Sequence, residues 1–280
     1  MTSPENQSLS ALLKKHNLRP DKNLGQNFLT DQSIILHIIQ TIGAQKNDRI
    51  VEIGPGKGAL TEYLLPSCKH LSAIELDRDL IPLLKISFAT HSQKFNLINQ
   101  DILTVKICEL AEENQKIRVI GNLPYNISTP VLFHLLSYKD CIQDMFFMLQ
   151  KEVVDRLAAS PNSKNYGRLS IIMQYYFDIE KCFEVRPEAF NPAPKVESAI
   201  VTLRPYSNLK EQHGIVLDDP VALKAICQLA FGQRRKTLRN NLKKVISSEQ
   251  IEQLEIDPAS RAETLSLQDF IKLANLYTTI

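Results

Sequence analysis

Asn122, Leu123, Pro124 and Tyr125 follow one another where the apolar run 117–123 ends, so an amide, a rigid ring lacking an N–H and an aromatic stand together. Proline cannot donate to a sheet ladder, so a strand stops here. An amide oxygen and a neighbouring backbone carbonyl can together accept both hydrogens of an exocyclic base amine. Such an amine is a poor nucleophile while its lone pair is delocalised into the ring. Holding both N–H bonds draws the nitrogen toward tetrahedral geometry and frees the lone pair for attack. Proline stiffens the loop, and the tyrosine offers a face on which a base can stack. Taken alone, the same residues are only a turn with a tyrosine packed on it.

A second group lies upstream. In "VEIGPGKGALT" (51–61) an acid precedes Gly54, Gly56 and Gly58, which alternate between a strand pattern and a helix pattern. The spacing is GxGxG rather than the GxGxxG dinucleotide fingerprint, which favours an adenosyl ligand with no diphosphate to seat. By itself the loop is a tight strand-to-helix turn. Two acids at later strand ends strengthen it. Glu75 closes "SAIELD", placed to accept from both ribose hydroxyls, and Asp101 closes "LINQDIL", placed to accept from an adenine amine. Singly, each is a helix N-cap or a loop acid. Three consecutive strands ending in glycines, Glu and Asp make a site.

Those side chains need a sheet to hold them. Strand candidates cover 49–54, 70–76, 95–101, 117–123, 144–150, 170–177 and 198–205, with helical patterns such as 31–43 and 58–68 between the early ones. The alternation predicts an α/β fold: a doubly wound, Rossmann-like, mostly parallel seven-stranded sheet. The last two strands are expected to pair antiparallel at an edge. Beyond about residue 208 the β signal ends, and 221–246 and 266–277 read as helices, the second opened by a capping box at Ser266 and Asp269. The expected organisation is a flexible segment 1–20, a ligand-binding α/β domain 21–208 and a small all-helical domain 209–280.

A net charge of +2 across 280 residues excludes nothing, so partners must be read from where the charge lies. Residues 221–246 hold Lys224, Arg234, Arg235, Lys236, Arg239, Lys243 and Lys244 and no acid. As one helix, Arg235, Arg239 and Lys243 would share a face. That is either a solvated basic face or a phosphate-contacting stripe. Lys151, Arg156, Lys164 and Arg168 could extend the stripe near the mouth of the site. The five cysteines, Cys68, Cys108, Cys141, Cys182 and Cys227, form neither a CxxC pair nor a disulfide framework. A reducing compartment and no metal are expected. The N-terminus has no apolar leader and no stretch approaches membrane-spanning length, so a soluble cytoplasmic protein without a membrane partner is expected.

"NLPY", "VEIGPGKGALT", "AIELD" and "NQDIL" together resemble the class I S-adenosylmethionine-dependent methyltransferases acting on amino nitrogens. "KNLGQNFLTD" (22–31), "NYGRLS" (165–170), "FNPAPKVESAIV" (190–201) and "RAETLS" (261–266) narrow the resemblance to the ribosomal RNA adenine dimethyltransferase family. Without it, these are a helix cap at Thr30 or Asp31, a flexible turn and a proline-stiffened loop with a buried phenylalanine. The resemblance implies that Asn27, Leu29, Gly54, Gly56, Glu75, Asp101 and Asn122 contact S-adenosylmethionine, with S-adenosylhomocysteine as product. It implies that Asn122, Pro124 and Tyr125 hold the target adenine while Phe190 stacks on its other face. Arg168, Arg234, Arg235, Lys236, Arg239 and Lys243 would then bind RNA. The implied substrate is a pair of adjacent adenosines in the 3′-terminal hairpin of small-subunit (16S) ribosomal RNA, within an immature subunit, modified by a monomeric enzyme late in maturation. The alternatives are an N6-adenine DNA or glutamine-amide methyltransferase, whose loop usually carries a second proline where Leu123 stands, and a mainly non-catalytic ribosome assembly factor.

Overall fold

The computed structural model describes residues 26–113 and 115–279; the expected flexible segment 1–20 lies outside them. Nine strands are found among the described residues: β1 (Phe28–Leu29), β2 (Arg49–Ile53), β3 (His70–Glu75), β4 (Phe95–Asn99), β5 (Ile117–Asn122), β6 (Ile142–Gln150), β7 (Phe177–Val185), β8 (Phe190–Asn191) and β9 (Ser198–Pro205). Seven form one sheet in the order β4-β3-β2-β5-β6-β9-β7, while β1 and β8 make a separate two-stranded ribbon. β2 pairs in parallel with β3 and β5, β3 with β4, and β5 with β6. β3, β5 and β6 are buried nearly end to end, as strands covered on both faces must be.

Chain order makes the binding cleft. From β2 the chain runs outward through β3 and β4, then returns to lay β5 on the other side of β2. The crevice at this switch lies between the carboxyl ends of β2 and β5, where Ile53 pairs with Gly121. Gly121 is required there: a Cβ would sit 2.7 Å from the Ile53 carbonyl oxygen.

One expected strand is a helix. Residues 170–177 fall almost wholly in Arg168–Tyr176, and the strand follows as β7. Leu169, Ser170, Ile171, Ile172, Met173 and Tyr175 are all buried, so the helix has no polar stripe to reveal its period. The expected basic helix 221–246 is two: Pro220–Ala230 and Leu238–Leu242. The first ends because the Asn241 side chain donates to the Ala230 and Gln233 carbonyls, drawing the chain back on itself. Arg235, Arg239 and Lys243 therefore do not share one helix face.

Contacts divide the chain into two units, one running to Lys151 and including Cys182–Thr202, the other holding Glu152–Lys181 and the chain from Leu203 on. Residues 152–181 thus group with the C-terminal helices. In that second unit Pro220–Ala230 packs on Leu267–Thr278; Leu223, Ile226 and Cys227 of the first helix and Phe270, Ile271 and Leu273 of the second are buried. The Ser266–Asp269 capping box opens the latter helix.

Cys108 and Cys141 form a disulfide, correcting the expectation of none; Cys68, Cys182 and Cys227 take part in no disulfide. The pair precedes β5 and β6, adjacent parallel strands, so both cysteines lie at the same end of the sheet although 33 residues separate them. No helix among the described residues is long and apolar enough to cross a membrane.

Candidate active site

The cleft at the switch point is lined by Asn27, Leu29, Gly54, Gly56, Glu75, Asp101, Asn122, Pro124 and Tyr125, so nine of the ten expected cofactor and catalytic residues converge. Phe190 is not among them. It is 4 % exposed, lies in β8 opposite Leu29, and packs in the core with Phe28 and Ile200.

The glycine loop is shaped for close approach. Gly54 and Gly56 take φ of 65° and 58°, in the left-handed region that side chains resist. A Cβ on Gly56 would also press on the Phe28 ring at 3.3 Å. The Gly56 N–H donates to the Glu75 carboxylate, which accepts as well from the Asp77 N–H, so the acid at the end of β3 is fixed from two sides. Burial raises the Glu75 pKa above its ordinary value despite these bonds. Asp101, just beyond β4, accepts from the Leu103 N–H and caps the turn that follows.

Beneath the loop lies Glu52, 2 % exposed and accepting from the Thr61 hydroxyl at 2.6 Å. Burial, with a smaller push from Glu75, lifts its pKa to about 7. Neither Glu52 nor Glu75 is ion-paired with a described basic residue. A cleft holding three acids suits a ligand that brings its own positive charge and hydroxyl and amine donors.

The ribbon β1–β8 runs along the edge of this cleft, anchored where the Thr30 and Asp31 N–H groups donate to the Ala189 carbonyl. Asp31, not Thr30, caps the helix Gln32–Ile42 by accepting from the Ser33 and Ile34 N–H groups. The Asn27 carbonyl accepts from Asn122 Nδ2 at 3.3 Å, which orients the amide and leaves Oδ1 for an incoming donor. In the same loop the Pro124 carbonyl accepts from the Ile127 N–H and the Tyr125 carbonyl from the Ser128 hydroxyl. Among the described residues no such partner uses the Leu123 carbonyl. Asn122 Oδ1 and the Leu123 carbonyl are therefore the two acceptors open to a base amine. Tyr125 is pinned by a 2.7 Å hydrogen bond between its hydroxyl and Ser198.

Glu52, Lys57 and Ser198 had no role in the sequence reading. Glu52 stood in plain view before the glycines, but nothing in a single chain distinguishes a buried acid there from a solvated one. Ser198 meets Tyr125 only because β9 folds back 73 residues later.

In the second unit Arg168, Arg235, Lys236, Arg239 and Lys243 are exposed. Arg234 is partly neutralised by Glu263 at 3.1 Å and also donates to the Lys164 carbonyl. Lys151, in the first unit, is held by Glu184 and Glu197 and is not a free cation.

Residues 17–279 match the family model described as ribosomal RNA adenine dimethylase. The chain is 52% identical over 257 residues to the ribosomal RNA small subunit methyltransferase A of Saccharophagus degradans, covering 92% of this chain and 94% of the relative. It is equally similar, 52% over 257 residues, to the protein of the same name from Pseudomonas aeruginosa, with the same shares covered. Among solved structures, a dimethyladenosine transferase from Plasmodium falciparum superposes with a TM-score of 0.74 at 24% identity, over 90% of this chain and 98% of that one.

Proposed function

The chain belongs to the ribosomal RNA adenine dimethylase family, and from that premise we propose that it methylates the N6 amines of two adjacent adenosines near the 3′ end of small-subunit ribosomal RNA. It is a methyltransferase using S-adenosylmethionine, which supplies a methyl group on a sulfonium, a carbon electrophilic enough for direct attack. Each transfer forms one N6–carbon bond, breaks one sulfur–carbon bond, releases one N6 proton and leaves S-adenosylhomocysteine.

The observation that carries the assignment of roles is the Asn122 amide, held by the Asn27 carbonyl with Oδ1 left over beside an unused Leu123 carbonyl. These two oxygens accept the N6 hydrogens and bring the nitrogen lone pair out of the ring plane. Pro124 stiffens the loop, and Tyr125, fixed by Ser198, supports one face of the adenine. The methylated nitrogen is an acid strong enough to lose its proton to water, so no dedicated base is needed. Phe190 is assigned to the other face, which requires β8 itself to shift and release the ring from the core when RNA binds.

Glu75 holds the ribose hydroxyls, Asp101 the adenine amine of the cofactor, and Asn27, Leu29, Gly54 and Gly56 its remaining edge. The cradle fits such a ligand because its glycines admit close backbone approach and its buried acids lack internal cations. Arg168, Arg234, Arg235, Lys236, Arg239 and Lys243 contact RNA phosphates. They position the substrate, while an unstacked adenine entering the cleft supplies the specificity. We place the enzyme in the cytoplasm, as a monomer acting on an immature small subunit without a metal.

The test is transfer of tritiated methyl to small subunits isolated from cells lacking the enzyme. Asn122→Ala is expected to lower kcat on the order of 100- to 1000-fold, the cost of removing a group that acts on developing charge. Cofactor binding should weaken only partly. Turnover retained by this variant would sink the amine-holding role.

A further inference from the structure

Four acidic or basic side chains line the cleft, and only one of them, Lys57, is cationic. It stands in the glycine loop between Gly56 and Gly58. Its ammonium lies 4.3 Å from the centre of the Phe28 ring, in the β1 ribbon at the edge of the cleft. That contact holds a normally mobile side chain over an aromatic face instead of letting it range through solvent. No described acid lies within ion-pairing reach of it, and partial burial lowers its pKa from the ordinary lysine value. It is a positioned, partly desolvated positive charge with no carboxylate of its own.

The ligand assigned to this cleft can supply the carboxylate. Glu75 and Asp101 are taken by the ribose and the adenine, which leaves Glu52 and Lys57 as the remaining charged groups of the lining. The methionine tail carries an ammonium and a carboxylate. Three acids and no cation would repel that carboxylate, and Lys57 removes the conflict. We propose that Lys57 is the group that binds the carboxylate of the cofactor's aminoacyl tail, so that the glycine loop selects adenosyl ligands bearing a free α-carboxylate. The assignment rests on the cofactor reading given above and extends it to a residue that reading leaves without a role.

The competing account is mechanical: Lys57 would hold the β1 ribbon through Phe28, and its loss would loosen the cleft for every adenosyl ligand alike. A binding cycle separates the two. S-adenosylhomocysteine and its decarboxylated analogue, which keeps the ammonium, are titrated calorimetrically into the full-length protein and into Lys57→Met, with Lys57→Arg as the charge-retaining control. Loss of the carboxylate should weaken binding to the wild type ~10- to 100-fold, the range of one charge-assisted hydrogen bond. In Lys57→Met the two ligands should bind within a few-fold of each other, and Lys57→Arg should restore much of the difference. Thermal melting of both variants in the absence of ligand reports whether the fold is kept. An equal penalty for the missing carboxylate in wild type and Lys57→Met overturns the proposal, as does an equal loss of affinity for both ligands. Failure of the wild type to bind S-adenosylhomocysteine at all would overturn the cofactor reading itself, a separate result.

Discussion

The two ends of the parallel sheet bury charge in opposite ways. At the amino end, Arg118 of β5 is 6 % exposed and gives Asp144 of β6 two hydrogen bonds, at 2.9 and 3.0 Å. It also pairs with Asp48 at 2.8 Å and donates to the Ile42 carbonyl at the end of the helix Gln32–Ile42. Every charge there has a partner within the chain. At the carboxyl end, Glu52 and Glu75 are as deeply buried, yet among the described residues only a hydroxyl and backbone N–H groups bond to them. A buried charge without a counter-charge costs free energy that folding alone does not recover. One end is closed in itself, and the other is completed by something that binds.

The largest effect should come from breaking the closed end. Arg118→Met leaves the buried Asp144 and the half-buried Asp48 without their cation, and the loss of one partner from such a cluster costs about 3–5 kcal/mol. Urea denaturation should show that loss, while the folded fraction keeps its affinity for S-adenosylhomocysteine. A variant of unchanged stability would mean that the cluster is solvated and the contrast between the ends is false.

The open end should answer in reverse. Glu75→Gln removes a carboxylate that burial already disfavours, so stability should hold or rise. Affinity for S-adenosylhomocysteine should fall ~100-fold, because the ribose hydroxyls lose a charged acceptor. Calorimetry and melting on the same variant decide the matter. A parallel fall in both would make Glu75 a structural residue, like Arg118.

The contrast between the ends also explains what could be seen beforehand. The ligand end is written locally, because glycines, Glu75, Asp101 and Asn122 each stand where a strand stops, and strand ends are legible from hydrophobic runs. Strand 198–205 and the Ser266–Asp269 cap were legible for the same reason. The closed end is not written locally. Arg118 sits inside an apolar strand and meets an aspartate 26 residues on and another 70 residues back, pairs that only the register of β2, β5 and β6 creates. The Cys108–Cys141 bond escaped notice for that reason too. Residues 170–177 read as a strand for the opposite reason: a helix buried on nearly all sides, ending in two tyrosines just before the first residue of β7, has the composition of a strand. In β7, charges mask an edge strand whose outer residues reach solvent. The basic segment lost its single helix to Asn241, whose capping of Ala230 requires a chain reversal that charge spacing does not announce.

The smallest effect is the most specific, and it concerns Glu52. Its carboxyl is lifted by burial from 4.5 to about 7 in the folded protein. Below about pH 4.5 both the folded and unfolded states hold the proton, and Glu52 costs nothing. Between the two values the folded state binds more protons than the unfolded one, so stability falls as pH rises, and the cost is complete above pH 7. Glu52→Gln keeps an acceptor for the Thr61 hydroxyl but cannot ionise. The variant should therefore match the wild type near pH 4.5, gain steadily on it as pH rises, and stand about 1–3 kcal/mol more stable at pH 8. Urea melts across that range give the difference directly. Repeating them with saturating S-adenosylhomocysteine should narrow it, because a ligand ammonium beside the ionised carboxylate provides the counter-charge that the fold omits. A difference that does not vary with pH would show that Glu52 is already compensated, and the two ends of the sheet would then be alike.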